Sequence, residues 1–307
     1  MLKLLWEMAP CLIVGALIGR WRSQWIAPLA VPLVRFGVPV SLMGLLLHGG
    51  LNGSLLTMAL LAVAAITLMM MILHWLSSGV ASLGRPDLQL GSCIGNTAYF
   101  GVPATLALLP PEALPVSIGY DLGATLLVWS LGPLWLNRNN KTSNGHQPWR
   151  QLLAHLSASP ATRGLVGALI VMATPWHDVI REVLWLPSRA VIVLALVVVG
   201  MRLGDIAARK LKEPTVNLSA PLACKLLLFP SLMLLLSLAF PIPGYARQAL
   251  VLQAAAPTAI SVLLIAESEQ MNAAEPAQLI LNSTLLALIS VPLWSLLVGP
   301  LSGTPGR

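Results

Sequence analysis

Residues 36–84 contain no Asp, Glu, Lys or Arg, and uncharged runs recur over 88–111 and 226–246. Crossing the hydrocarbon of a bilayer takes about 20 predominantly apolar residues. Long uncharged runs separated by short basic or mixed segments are the pattern of a chain that threads a membrane repeatedly. Composition agrees: 57% of the 307 residues are hydrophobic and 9% are charged, against about 25% charged in soluble domains. Water is not the main solvent of this chain.

The runs predict an all-α polytopic protein with ten spans near 5–20, 27–47, 55–76, 88–109, 114–136, 161–176, 187–204, 217–240, 246–266 and 276–298. The polar stretch from Asn137 to Ser159 divides them into five and five. The expected organisation is therefore a five-span unit over 1–136, a cytoplasmic linker over 137–160 and a second unit over 161–307. Placing both termini outside assigns eleven basic residues to cytoplasmic loops (Arg20, Arg22, Arg85, Arg138, Lys141, Arg150, Arg163, Arg202, Arg209, Lys210 and Lys212). Five fall outside (Lys3, Arg181, Arg189, Arg247 and Arg307), and Arg35 and Lys225 lie within spans. The bias favours N-out and C-out. It also accounts for the net charge of +7 without nucleic acid, since no basic stripe interleaved with aromatics is present. Arg20-Trp21-Arg22 stands where a signal-peptide cleavage site would need small residues, so the first apolar run reads as a retained span.

The halves carry traces of a duplication. Val14-Gly15-Ala16-Leu17-Ile18 returns as Val166-Gly167-Ala168-Leu169-Ile170, and Gly44 and Pro103 have counterparts at nearly the same offset in Gly200 and Pro257. Because each half has an odd number of spans, the second enters from the opposite side, as in inverted-repeat secondary transporters. Proline inside a helix removes a donor and crowds the preceding turn. The fourth span, with Gly95, Asn96, Thr97, Gly101 and Pro103, and the ninth, with Pro257, Thr258 and Ser261, are expected to break. Interrupted spans at corresponding positions of two halves are the best sequence pointer to a transporter site. The half-helices beginning after the breaks would offer free N–H groups and positive dipole ends to an anion.

At these residues the chain resembles the auxin efflux carrier family, which includes plant PIN-type carriers and bacterial transporters of malonate-transporter type. Asn96-Thr97-Ala98-Tyr99-Phe100-Gly101-Val102-Pro103 is similar to the family's fourth-span motif, an Asn-Thr pair followed by Gly-hydrophobic-Pro. Ala254 to Glu267 resembles the ninth-span motif, Val199-Gly200-Met201-Arg202-Leu203 the Gly-Met-x-Leu of the seventh, and Ser159-Pro160 the opening of the sixth. Ala256 departs from the frequent Met before that proline. The resemblance implies the crossed-helix fold of bile-acid and sodium–proton carriers, a scaffold of spans 1, 2, 6 and 7 that often dimerises, and an elevator-like moving domain. It also implies small organic anions, mono- or dicarboxylates, as substrates, in an organism whose plasma membrane would be a bacterial inner membrane. A sodium-coupled carrier of bile-acid type is the alternative.

The expected substrate-binding residues are Asn96, Thr97, Tyr99, Gly101, Val102, Pro103, Ala256, Pro257, Thr258, Ser261 and Asn282. Asp121, about 10 Å inside the fifth span at the helical rise, is the expected proton acceptor, since intramembrane carboxylates usually face a cavity. A proton is favoured over sodium because few acidic and amide groups stand near the expected crossover. Arg35 and Lys225 are expected to snorkel to the interface, and Glu267 and Glu269 to be solvated. No Gly-rich Lys-Ser/Thr loop, nucleophile elbow or His-Glu-x-x-His helix is present, so no enzyme activity is expected. The five histidines and three cysteines show no ligand spacing, and no cofactor or metal is expected.

Overall fold

The computed structural model describes residues 2–50, 53–139, 153, 154, 157, 160–208, 217–272 and 274–300. In chain order its main helices are α1 (Leu2–Trp21), α2 (Ser23–Gly49), α3 (Gly53–Leu76), α4a (Pro86–Cys93), α4b (Thr97–Leu108), α5 (Leu114–Leu136), α6 (Pro160–Met172), α7 (His177–Ala208), α8 (Ser219–Leu238), α9a (Gly244–Ala255), α9b (Ile260–Ser268) and α10 (Ala274–Val298). Among the described residues there is no strand. Six helices (α2, α3, α5 with its leading turn, α7, α8 and α10) are long and apolar enough to cross a membrane. Most of the linker expected over 137–160 lies outside the described residues.

The largest departure from the sequence reading is α7, which begins at His177 instead of 187. Arg181 falls outside the expected span, but Asp178 and Arg181 form an i,i+3 ion pair at 3.1 Å on an exposed helical surface. Helix α6 stops at Met172, short of 176, ahead of Thr174-Pro175.

Polarity is arranged for an apolar solvent. Leu60, Trp75, Leu186 and Leu296 are exposed, whereas Asp87, Gln89, Lys225, Gln253 and Glu275 are buried. Soluble proteins almost never bury this many ionisable groups while exposing large apolar ones. In a bilayer the polar groups are the ones that must turn inward.

Three helices share a device for carrying proline. The π turns Leu33–Gly37, Thr97–Gly101 and Cys224–Leu228 each end two residues before a proline: Pro39, Pro103 and Pro230. The wider turn gives the carbonyl four residues back room beside the ring. A carbonyl deprived of its donor still needs one. Arg163 on α6 donates to the Arg35 oxygen at 3.2 Å, and Trp294 on α10 donates its indole N–H to the Leu226 oxygen at 2.9 Å. Each proline irregularity in α2 and α8 is thus tied to a neighbouring helix.

Helices α1 and α7 pack through glycines. A Cβ on Gly15 would lie 2.9 Å from the Met201 nitrogen and nearer still to the Val197 oxygen, and one on Gly200 would overlap the Leu12 carbonyl. Helix α6 rests on α2 in the same way, with Gly164 against Pro39 and Leu42, and Gly167 against Met43. Gly44 faces Leu184 and Ser188 of α7. Equivalence with Gly200 would have turned it to α6, so this landmark does not keep its partner.

Candidate functional site

Two helices are interrupted, and the interruptions meet. Between α4a and α4b the backbone of Ile94–Asn96 leaves the helix; between α9a and α9b that of Ala256–Ala259 does so. Pro257 accounts for the second break: the residue before a proline is driven towards extended backbone, and Ala256 has φ −55° and ψ 144°. In the fourth span the break precedes Pro103 by a full helical turn and more. Gly95 and Asn96, poor helix formers, occupy it, while Pro103 sits near the start of a new helical turn. The break thus falls on Gly95 and Asn96, at the start of the stretch from Gly95 to Pro103 that was expected to be interrupted.

Freed backbone groups cannot remain unpaired at such depth, and here each segment serves the other. Gly95 and Thr258 form an antiparallel bridge. Asn96 donates its N–H to the Pro257 oxygen at 2.7 Å, and Ala259 donates to the Ile94 oxygen at 3.1 Å. The Thr258 N–H donates to Ser283 Oγ on α10 at 3.1 Å. Thr258 Oγ1 donates to the Gly91 oxygen at 2.8 Å. Lys225, fully buried on α8, donates from Nζ to the Ala254 oxygen at 2.8 Å. It lies 4.9 Å above the Phe229 ring and would be 3.2 Å from a Cβ on Gly95. The expectation that Lys225 snorkels is wrong: the carbonyl end of α9a, the negative end of its dipole, holds the amine in the interior. An ionisable residue inside an apolar run is a functional-site hypothesis by default, and that signal was present in the sequence.

On one side of the crossover lies a cavity of about 120 Å³. Of the residues expected to bind substrate, Asn96, Thr97, Tyr99 and Ser261 line it, as does Asp121. Thr97 Oγ1 donates to Asp121 Oδ1 at 2.5 Å, and Thr125 donates to the same oxygen at 3.4 Å. The Tyr99 hydroxyl is buried and has no hydrogen-bond partner among the described residues. Gly101, Val102, Pro103, Ala256, Pro257, Thr258 and Asn282 do not line the cavity. Gly101 instead gives space to the Gln253 side chain, and Thr258 has both of its donors committed to the crossover. Asn282 stands one residue from Ser283, which the crossover uses.

The rest of the lining comes mainly from α2, α5 and α7 and is largely aliphatic, including Leu33, Val38, Val128 and Val198. One charged lining residue went unrecognised in the sequence. Arg202, read as a loop residue, reaches the cavity from α7, and its Nη1 is 3.8 Å from Glu267 on α9b. Its position inside the Gly-Met-x-Leu stretch was the available signal. Arg35, by contrast, is exposed and lies 5.3 Å from the Phe36 ring centroid. Glu269 accepts a hydrogen bond from Asn137. Among the described residues no three His, Cys, Asp or Glu side chains cluster as metal ligands.

A helical assembly with apolar exterior, buried charges and a polar-tipped cavity beside two broken helices is a membrane transport protein in class. The family described as membrane transport proteins, to which the auxin efflux carriers belong, matches residues 34–295, and this chain is a member of it. It is also 24% identical over 211 residues to an uncharacterized transporter of Methanothermobacter thermautotrophicus, covering 69% of this chain and 67% of that relative.

Proposed function

We propose that this chain is a secondary active carrier of small organic anions that binds them in the cavity beside the α4–α9 crossover. The observation that carries the reading is the reciprocal backbone pairing of Asn96 with Pro257 and of Ala259 with Ile94. It leaves the starts of α4b and α9b beside a mostly apolar hollow that can bury a solute. Asn96, Thr97, Tyr99 and Ser261 supply hydrogen bonds there. Residues 256–258 form most of the ninth-span break and residues 101–103 lie in the helix that follows the fourth-span break; neither group lines the hollow.

The architecture we infer is ten spans in two inverted five-helix repeats. Its support is a pairing of contacts: α1 packs on α7 as α6 packs on α2, and α5 meets α9a as α10 meets α4a. Exchanging the two halves maps each of these pairs onto the other. The crossover would travel as one body against a scaffold of α1, α2, α6 and α7, an elevator motion, and the scaffold would form a homodimer. We place the protein in a bacterial inner membrane with both termini outside.

Asp121 is the proposed proton acceptor. Its carboxyl lines the cavity, and a protonated acid there would admit an anionic solute that a carboxylate would repel. A sodium-coupled carrier of bile-acid type is the second reading. It is disfavoured because the Lys225 amine already donates to the Ala254 carbonyl at the crossover, a group that could otherwise serve a cation.

Counterflow of labelled carboxylates in proteoliposomes of the purified protein tests the function. Uptake of at least one carboxylate is expected, and no movement of any under any ion gradient refutes it. Asn96→Ala should abolish ligand-induced thermal stabilisation while leaving the fold intact; wild-type affinity in that variant would displace the site. Uptake in Asp121→Asn should no longer respond to a pH gradient. Stimulation by sodium over choline at fixed pH would favour the second reading.

A further inference from the structure

At the end of α5 two buried donors lack an acceptor among the described residues: the Trp135 indole N–H and Arg138 Nη1. The Arg138 guanidinium lies 4.2 Å from the centre of the Trp135 ring, over its face. Such stacking covers the face of a guanidinium and leaves the N–H groups in its plane to other partners. Buried polar groups are nearly always satisfied, so each exception calls for an explanation. Indole and guanidinium donate and never accept, so only an acceptor can serve them. Glu269, a carboxylate at this end of α5, already accepts from Asn137.

The stack stands at the tip of an apolar seam. Leu131 and Trp135 share one stripe of α5, and Arg138 continues it from the 3-10 turn Asn137–Asn139. His74 of α3 meets Trp135 edge-on, with ring centroids 6.5 Å apart. Met71, one turn from His74 and Trp75 on α3, is exposed, as are Trp75 and Leu131. The seam between α3 and α5 is therefore hydrocarbon along its length and basic at its tip. That polarity matches an anionic phospholipid with its headgroup at the end of α5 and its chains beside both helices. In the orientation proposed above this end faces the cytoplasm, where the leaflet surface is negative, and tryptophan is enriched at that level of a bilayer.

We propose that the Trp135–Arg138 stack, with His74 at its edge, binds the phosphate of an anionic phospholipid whose chains lie in the seam between α3 and α5. A phosphodiester supplies charged acceptor oxygens, and a guanidinium bonds two of them in parallel. The site is separate from the transport cavity, whose lining includes none of His74, Trp135 and Arg138. The inference therefore holds whatever solute the protein carries.

The test uses purified full-length protein in detergent with dioctanoyl phosphatidylglycerol, dioctanoyl phosphatidylcholine and inorganic phosphate as probes. Binding is followed by native mass spectrometry and by the rise in melting temperature. Phosphatidylglycerol is expected to bind about fivefold or more tightly than phosphatidylcholine, the worth of one basic residue at an anionic surface. Inorganic phosphate, which has no chains, should leave the melting temperature unchanged. Arg138→Gln should abolish the preference for phosphatidylglycerol. Trp135→Phe, which keeps a ring under the guanidinium and removes the indole N–H, should weaken that lipid by about fivefold. Arg22→Gln, at an exposed arginine elsewhere, should bind as the wild type does. The site is overturned if Arg138→Gln keeps the wild-type preference, or if Arg22→Gln loses as much of it, since the attraction is then one of overall charge. Should Arg138→Gln fail to fold, Arg138→Lys retains the charge without the planar fork, and unchanged affinity in it together with Trp135→Phe overturns the site. Inorganic phosphate as effective as phosphatidylglycerol overturns a lipid as the occupant, and equal binding of the two lipids by the wild type overturns the proposal outright.

Discussion

Thr258 offers a clean measure of what holds the crossover together. It is 1% exposed, its hydroxyl donates to Gly91 on the other broken helix at 2.8 Å, and its N–H donates to Ser283. Thr258→Val keeps the shape and removes only the hydroxyl, so the cost is one buried hydrogen bond with its acceptor left in an apolar interior, about 2 kcal/mol. For a chain of 307 residues that corresponds to a fall of about 3 °C in melting temperature. Cys93 and Cys224 are free and buried, one ending α4a and the other beside Lys225, so thiol labelling during heating reports opening at the crossover itself. Cys11, partly exposed, is best replaced by serine in the parent. Ser283→Ala strips the acceptor from the Thr258 N–H and should cost a similar amount. Because both substitutions loosen the same residue, their effects should fail to add by about 0.5 kcal/mol or more. Thr258→Val melting within about 1 °C of its parent, with strictly additive behaviour alongside Ser283→Ala, would refute the view that side chains from α4a and α10 brace this break.

Two further perturbations probe the surrounding frame. Gly15→Val drives a side chain into the Val197 and Met201 backbone. It should cost about 3 kcal/mol or more through overpacking, seen as loss of a monodisperse peak on size-exclusion chromatography, whereas Gly53→Ala, with open space around it, should elute unchanged. Arg85 pairs with Asp87 at 2.6 Å and with Glu275 at 2.9 Å, linking the starts of α4a and α10. Both carboxylates are buried, so Arg85→Gln should destabilise by about 3 kcal/mol, read as a lower melting temperature in the thiol assay.

The helices were legible in the sequence because a bilayer imposes one length and one solvent, and uncharged runs such as 36–84 have few other ways to exist. Pro257 betrayed the ninth-span break because proline acts on its own neighbours. In the fourth span the local effect of Pro103 is absorbed by the π turn Thr97–Gly101, while the break at Gly95 and Asn96 is stabilised from outside, by Pro257 and Thr258. Lys225 was misjudged because its partner, the Ala254 carbonyl, is 29 residues away and exists as an acceptor only once α9a ends there. Arg202 was counted with the cytoplasmic-loop charges although it falls inside the span expected over 187–204; in the fold it lies within α7 and lines the cavity. Contacts that depend on the meeting of two breaks cannot be read from either break alone.

The distribution of bonding strength bears on how the proposed carrier would move. The bonds that join the two breaks stay within the body formed by α4, α8, α9 and α10, including the Lys225–Ala254 bond and the Ser283 support, and Thr97 ties that body to Asp121 of α5. The cavity is closed on its other side by α2 and α7, mostly through aliphatic contact and the long Arg202–Glu267 pair. Sliding apolar faces past one another costs little in specific bonds, whereas separating α4 from α9 would strand buried donors at about 1–3 kcal/mol apiece. Motion along the aliphatic seam is therefore the low-cost direction. A cysteine crosslink between α4b and α9b should leave counterflow intact, and one joining either of them to α7 should stop it. The opposite result would place the moving boundary through the crossover and refute the proposed division of the helices.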